Sequence, residues 1–433
     1  MYVRFPTALE WYTGPESKGA YMESPWKTDR WFTSPWNHAS EVKATLHFPD
    51  KIRIHDVTLR DGEQQTGIVF RRQEKVAIAK KLAEAGVHRI EAGMPAVSSE
   101  DEAAIKDIVA LGLSSEIFSF ARCMPADVKL AKDCGVFGII TEIPSSEHII
   151  RNAYGKTMDW AIKSSIETTL AAKEAGLYTS FFTIDSTRSE LEPYMDLIDR
   201  VATEGHMDAL TLADSFGGCT PEAIGMIVRK LKARFNKPIE IHCHEDFGLG
   251  VANTIAALAN GASVAHVTVT GTGERAGNVP LEDTVMALRC LYNVDTGIKT
   301  EKFYDLSKLV QELSGFQVPP NRPIVGDWLY NIESGIVSMF HRRCKSVEPL
   351  EYIPFAPELA GRPGVSIALG KGSGVANVEE HLERRGISLP QEQIDAIVAR
   401  VKQTSIEKKA LLSEAEFEQI VQTVRDTVAA AAK

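Results

Sequence analysis

From Lys51 onward the chain alternates short apolar runs with amphipathic stretches eight times, and few architectures accommodate that rhythm. The strand-like runs occupy 52–58, 88–93, 117–121, 137–143, 178–184, 209–213, 239–242 and 264–269. Stretches with apolar residues at i, i+3 and i+4 separate them, as at 73–85 and 158–175. Eight strand–helix units in about 240 residues predict an α/β chain closed into a (β/α)8 TIM barrel, with a doubly wound open sheet as the alternative. In either fold the functional residues follow the carboxyl ends of the strands.

The barrel leaves segments on both sides. Residues 1–50 form an N-terminal arm that carries four of the six tryptophans, Trp11, Trp26, Trp31 and Trp36, with Tyr2, Tyr12, Tyr21 and Phe32. Aromatic surface of that extent favours burial, so the arm is expected to lie across the barrel or a neighbouring subunit. The barrel domain spans 51–295. Strands are not expected in the remaining 296–433, where a proline-rich linker, Val318-Pro319-Pro320-Asn321-Arg322-Pro323, leads to a helical C-terminal subdomain with helices at 391–403 and 414–428.

Composition narrows the function classes. Apolar residues make up 44% and charged residues 24%, as in a globular enzyme with a large core. The formal net charge of -10, without a dense Lys/Arg block, disfavours nucleic-acid binding. The six cysteines contain no Cys-x-x-Cys pair, as expected of a reducing compartment. Neither a signal sequence nor a membrane span is legible, so a cytoplasmic protein is expected.

Three stretches carry chemistry. The first strand ends in Thr58-Leu59-Arg60-Asp61-Gly62-Glu63-Gln64, which sets an arginine beside a carboxylate at a strand's carboxyl end. The seventh ends in His242-Cys243-His244, whose alternate residues converge on one point if the strand persists to His244. A lone His-x-His commonly satisfies local hydrogen bonds. With Asp61 in the same barrel, two imidazoles and a carboxylate form a divalent-metal arrangement. The eighth strand runs into Thr270-Gly271-Thr272-Gly273-Glu274-Arg275-Ala276-Gly277-Asn278, a glycine-rich loop that is either a plain turn or an active-site loop. In the second reading it offers Asn278 as an oxygen ligand and Glu274 as an organiser of Arg60 or of substrate. Strands one and eight are neighbours in a closed barrel, so the two loops can meet.

Together these motifs resemble the DRE-TIM metallolyase superfamily, which includes the isopropylmalate, homocitrate and citramalate synthases and the hydroxymethylglutaryl-CoA lyases. The likeness covers the barrel and continues into Gly335-Ile336 and Leu369-Gly370-Lys371-Gly372-Ser373-Gly374, which resemble the synthases' post-barrel subdomain. The resemblance implies a divalent cation (Mg, Mn or Zn) bound by Asp61, His242, His244 and Asn278, with Arg60 facing the reacting carbonyl. It also implies a 2-oxo or hydroxy acid as substrate, acyl-CoA as a candidate co-substrate, and a homodimer. Ser215 stands where the family usually has a threonine that holds the substrate carboxylate. Gln64, Glu91, Arg122, Ser146 and His148 are candidate pocket walls, equally readable as structural polar groups.

Three positions depart from the synthase pattern. Ile184 replaces the usual glutamate after strand five, Val337 replaces a histidine after Ser-Gly-Ile, and Gly372 replaces a histidine in Leu-Gly-Lys-His-Ser-Gly. An enolate cannot be drawn from a thioester without a base. Asp185 and His341 are therefore the candidate replacements, or else the carbon donor is not acetyl-CoA. The expected activity is a synthase-type condensation of an acyl or enolate donor with a 2-oxo acid. The alternatives are a lyase that cleaves a 2-hydroxy or 3-hydroxy acid and a non-catalytic paralogue that binds metal and organic acid.

Overall fold

A computed structural model describes residues 24–431. Eight parallel strands close in sequence order: β1 (Arg53–Asp56), β2 (Arg89–Glu91), β3 (Glu116–Arg122), β4 (Gly138–Pro144), β5 (Tyr178–Ile184), β6 (Ala209–Asp214), β7 (Ile239–Cys243) and β8 (Val264–Val267). The ring is sealed by β1 pairing with β8, His55 opposite His266. The helices α1 (Arg72–Glu84), α2 (Ser99–Ala110), α3 (Pro125–Cys134), α4 (Met158–Glu174), α5 (Leu191–Glu204), α6 (Pro221–Arg234), α7 (Gly250–Leu258) and α8 (Leu281–Tyr292) follow the eight strands in turn.

The local sequence accounts for these elements. In α5, Tyr194, Leu197, Ile198 and Val201 recur at helical spacing and are buried against the strands. At the start of α6 the Thr220 hydroxyl accepts from the Ala223 N–H and Pro221 occupies the first turn, where its missing donor costs nothing. Strands β1 and β8 are shorter than the apolar runs 52–58 and 264–269, because Val57, Thr58, Thr268 and Val269 turn into the loops. Strand β7 runs one residue past the expected 242, to Cys243, and stops before His244.

Inside the barrel the strands present an alternating set of side chains. At mid-height Phe118, Phe120, Ile140, Phe182 and Ala213 form an apolar layer. Beneath it lies a charged layer: Glu240 accepts from Arg89 (2.7 Å), Ser180 (2.9 Å) and Thr211 (3.2 Å), with His266 3.0 Å away. The His266 ring stacks on His55, centroids 4.4 Å apart.

Of the arm, Trp31 packs against the barrel's outer core, and the Phe32 N–H donates to Pro354 O (2.9 Å). The Thr33 hydroxyl reaches Cys290 O at the end of α8 (3.2 Å), whereas Trp36 is 82% exposed. Tyr2, Trp11, Tyr12 and Tyr21 lie outside the described residues. Beyond the barrel come α9 (Phe303–Ser314), α10 (Gly335–Cys344), α11 (Val375–Arg384), α12 (Gln391–Lys408) and α13 (Glu414–Ala431). Val378, Leu382, Ile397, Val401, Phe417 and Val421 give the last three helices a small core of their own. The expectation of no strands after 295 is corrected by β9 (Asn331–Ile332) and β10 (Ser366–Ile367), which pair in parallel. Two-residue strands are too short to leave a period-two pattern.

Candidate active site at the carboxyl ends of the strands

The turn after β1 is tied down by its own side chains. The Asp56 carboxylate accepts from the Thr58 N–H and the Thr58 hydroxyl (3.0 Å each), and Thr58 Oγ1 in turn accepts from Val269 N–H (2.8 Å). This couples the loop after β1 to the loop after β8. Arg60 and Asp61 then project into the mouth of the barrel, both buried.

Asp61, His242 and His244 converge, with one candidate donor atom from each within 4.8 Å of the others. The two Nε2 atoms are 3.3 Å apart, and Asp61 Oδ2 lies 3.5 Å from His242 Nε2. Although β7 ends before His244, that residue keeps its place through an antiparallel bridge to Asn278 and an N–H bond to Asp214 O (3.2 Å). Asn278 Nδ2 donates to Asp61 Oδ1 (2.8 Å), while its buried Oδ1 has no partner among the described residues. Gly273, at φ +153°, makes room for this side chain: a Cβ there would collide with Asn278 Nδ2.

Burial alone would push the Asp61 carboxyl up, but Arg60, His242, His244 and the Asn278 amide together hold it well below the usual carboxylate range. Burial pushes the His242 and His244 imidazoles down, against the pull of Asp61. One carboxylate and two neutral imidazoles, packed without a donor for each acceptor, fit a divalent cation by their donor chemistry.

Arg60 is held on three sides. Its Nε donates to Glu91, and Nη1 donates to Asp61 Oδ2 (2.7 Å) and Gln64 Oε1 (3.4 Å). The guanidinium lies over the Phe120 ring, 4.1 Å from its centroid, and Nη2 is buried without a partner among the described residues. Glu91 also faces His55 Nε2 (3.2 Å). Thus Arg60, Gln64 and Glu91 gather with Asp61, His242, His244 and Asn278.

A second network joins Ser146, His148, Asp185 and Ser215. Buried Asp185 accepts from Ser146 (2.6 Å) and Arg188 (2.6 Å), lies 3.3 Å from His148 Nε2, and donates its N–H to Ser215 Oγ (2.8 Å). Its φ of +60° is fixed by these partners. Arg122 pairs with Asp127 at the start of α3 (2.8 Å). The Glu274 side chain is exposed and makes no hydrogen bond or ion pair among the described residues, so Glu91, not Glu274, organises Arg60. His341 lies on α10, edge-on to Tyr352 (5.0 Å between centroids), and is not brought to the strand ends of its own chain.

Sequence reasoning missed Glu142. It sits on the same face of β4 as Ile140, and thus faces the barrel interior, between Arg122 and Phe182 in register. Burial pushes its carboxyl up to about 7, with Arg60 and Arg122 opposing. The signal was the spacing Ile140-x-Glu142-x-Pro144 within an apolar run.

The HMGL-like family matches residues 51–310. A homocitrate synthase AksA of Methanothermobacter thermautotrophicus is 39% identical over 399 residues, covering 92% of this chain and 99% of the relative. A putative (R)-citramalate synthase CimA of Archaeoglobus fulgidus is 43% identical over 376 residues, 86% of this chain and 75% of the relative. Among solved structures, hydroxymethylglutaryl-CoA lyase from Pseudomonas aeruginosa superposes with a TM-score of 0.56 at 19% identity, over 62% of this chain and 95% of that one, a likeness of fold. With motif, barrel and relatives in agreement, the chain belongs to the HMGL-like family of DRE-TIM metallolyases.

Proposed function

We propose that this enzyme forms a carbon–carbon bond between an acyl-thioester donor and a 2-oxo acid. The observation that carries this reading is the convergence of Asp61, His242 and His244 beside a buried, immobilised Arg60. It is supported by synthase relatives along nearly the whole chain, the homocitrate synthase above and a 2-isopropylmalate synthase from Methanocaldococcus jannaschii among them. Asp61, His242, His244 and the Oδ1 of Asn278 would hold a divalent cation. Such a cation would supply Lewis-acid polarisation of the keto group of a bound 2-oxo acid.

The chain's own residues supply the rest. Arg60, fixed by Glu91 and Asp61, aims a guanidinium at the oxygen that gains charge as the new bond forms. Because its partners already hold it, little reorganisation is needed at that moment. The Ser215 hydroxyl, which accepts from Asp185 N–H, keeps its own proton for a substrate carboxylate. Trp328, Ile336, Phe340 and Val347 expose apolar surface around α10, which supports a homodimer whose post-barrel segment reaches the partner. Among the described residues no helix is long and apolar enough to cross a membrane.

Thiol release from acetyl-CoA, followed with a panel of 2-oxo acids, tests the reading. Release that requires both a divalent cation and one 2-oxo acid is expected. Cleavage of a hydroxy acid with no thiol release in the synthetic direction would replace it with lyase chemistry.

A further inference from the structure

A condensation of this kind needs a group that takes a proton from the carbon next to the thioester carbonyl. Ile184 has none to offer, Glu274 is exposed in the loop after β8, and the other enclosed carboxylates at the strand ends are engaged. Asp61 belongs to the metal cluster. Glu91 is spent on Arg60 and His55. Asp185 is saturated by Ser146, Arg188 and His148. Asp214 accepts from Thr187, two backbone N–H groups and Asn253. His341 sits on α10, edge-on to Tyr352, and is not brought to the mouth of its own chain's barrel.

Glu142 is the exception. Its carboxyl makes no hydrogen bond and no ion pair among the described residues, although it is largely enclosed. It faces the interior one layer above Ile140, beside the apolar wall of Phe120, Phe182 and Ile184. Arg60, the residue that faces the reacting oxygen in the reading above, is the first of the cations whose charge reaches it.

We infer that Glu142 is the proton-transfer residue of this site, standing in from β4 for the glutamate that Ile184 displaces on β5. Resting on the proposed condensation, the reaction balances with water as the one further reagent. The Glu142 carboxylate takes the α-proton of the thioester, and the C–H pair becomes the enolate. The enolate carbon bonds to the keto carbon of the 2-oxo acid, whose C=O π pair moves to oxygen beside Arg60. The proton on Glu142 then passes to that alkoxide, which regenerates the carboxylate; water then adds to the thioester carbonyl of the adduct and the C–S bond breaks, leaving a carboxylic acid and the free thiol that the assay reads. The charged and titratable groups around Glu142 are Arg60 from the β1 loop, Arg122 and Cys123 from the end of β3, Asp127 from α3 and Tyr154 from the loop before α4. Burial, the largest of these influences, leaves the carboxyl titrating near neutrality, where a general base works best.

The test compares wild type with Glu142→Gln and Glu142→Asp in the metal-loaded enzyme. Two quantities are read: thiol release with the 2-oxo acid panel across pH, and exchange of acetyl-CoA α-protons in D2O by NMR with a 2-hydroxy acid present in place of the acceptor. Wild type is expected to lose kcat on an acid limb near pH 7. Glu142→Gln should lower kcat and α-proton exchange by about 100-fold or more and abolish that limb, with metal binding unchanged. Glu142→Asp, with the same charge on a shorter stem, should recover part of the exchange. Exchange at the wild-type rate in Glu142→Gln, or an acid limb that persists in it, overturns the assignment while leaving the condensation intact. A wild-type enzyme that neither exchanges nor releases thiol with any acceptor overturns the condensation, and this role with it.

Discussion

Two polar clusters lie within one barrel, and they are built on opposite principles. In the lower one, Glu240 takes donors from Arg89, Ser180 and Thr211 and faces His266, so that its carboxylate is spent on its neighbours. In the upper one, Asp61, His242 and His244 crowd within 4.8 Å, two imidazole nitrogens face one another, and the Asn278 carbonyl is left without a donor. Buried polar atoms that pair are structural, whereas imidazole nitrogens that face one another beside a carboxylate and an amide oxygen left without a donor mark a place for a cation. Removing a member should therefore cost stability below and ligand binding above.

The largest effect is expected above. Asp61→Ala or His242→Ala should abolish divalent-cation binding and reduce turnover by about 1000-fold or more, with the fold kept, as read by calorimetry and thiol release. Retained turnover in the double variant would erase the distinction between the clusters. Next comes Glu240→Gln below. It should destabilise the protein by about 3 kcal/mol in denaturant unfolding, the low end for a broken buried pair because Arg89 keeps Glu116 at 3.3 Å. The Glu240 carboxyl is subject to burial that would raise it, but His266, Arg89 and His55 hold it far below its ordinary value. Stability from this group is thus complete above the unfolded value of about 4.3 and is lost as pH falls below it. Wild type should lose stability from pH 5 to 3 more steeply than Glu240→Gln, and parallel curves would show that the lower cluster is not an ion-pair network.

Asn278→Ala should weaken cation affinity by about 10- to 100-fold, since it removes both an oxygen donor and the amide that orients Asp61. An unchanged affinity would confine the site to the three remaining residues. The smallest change is Ser180→Ala, which removes one of several donors to Glu240. It should cost about 1 kcal/mol and leave cation affinity untouched.

The contrast also explains what could be read from the sequence. The barrel was legible because eight apolar runs recur between amphipathic helices. Asp61, His242, His244 and Asn278 were legible because each lies in a motif at a strand's end. The lower cluster was not: Arg89 and Glu240 are isolated charges within apolar strands, and only closure of the ring brings them to 2.7 Å across 151 residues of chain. Glu142 was hidden for the same reason. Glu274 was misplaced as the organiser of Arg60 because sequence proximity in a loop says nothing of side-chain direction. Asp185, adjacent to the substituted Ile184, is turned aside by its left-handed backbone and its pairing with Arg188.

The most direct test is the metal stoichiometry of purified chains, stripped with chelator and titrated with a divalent cation. One cation per chain is predicted for wild type and for Ser180→Ala, and none at the same site for His242→Ala. Undiminished binding by a folded His242→Ala protein would contradict the assignment of the upper cluster as the metal centre.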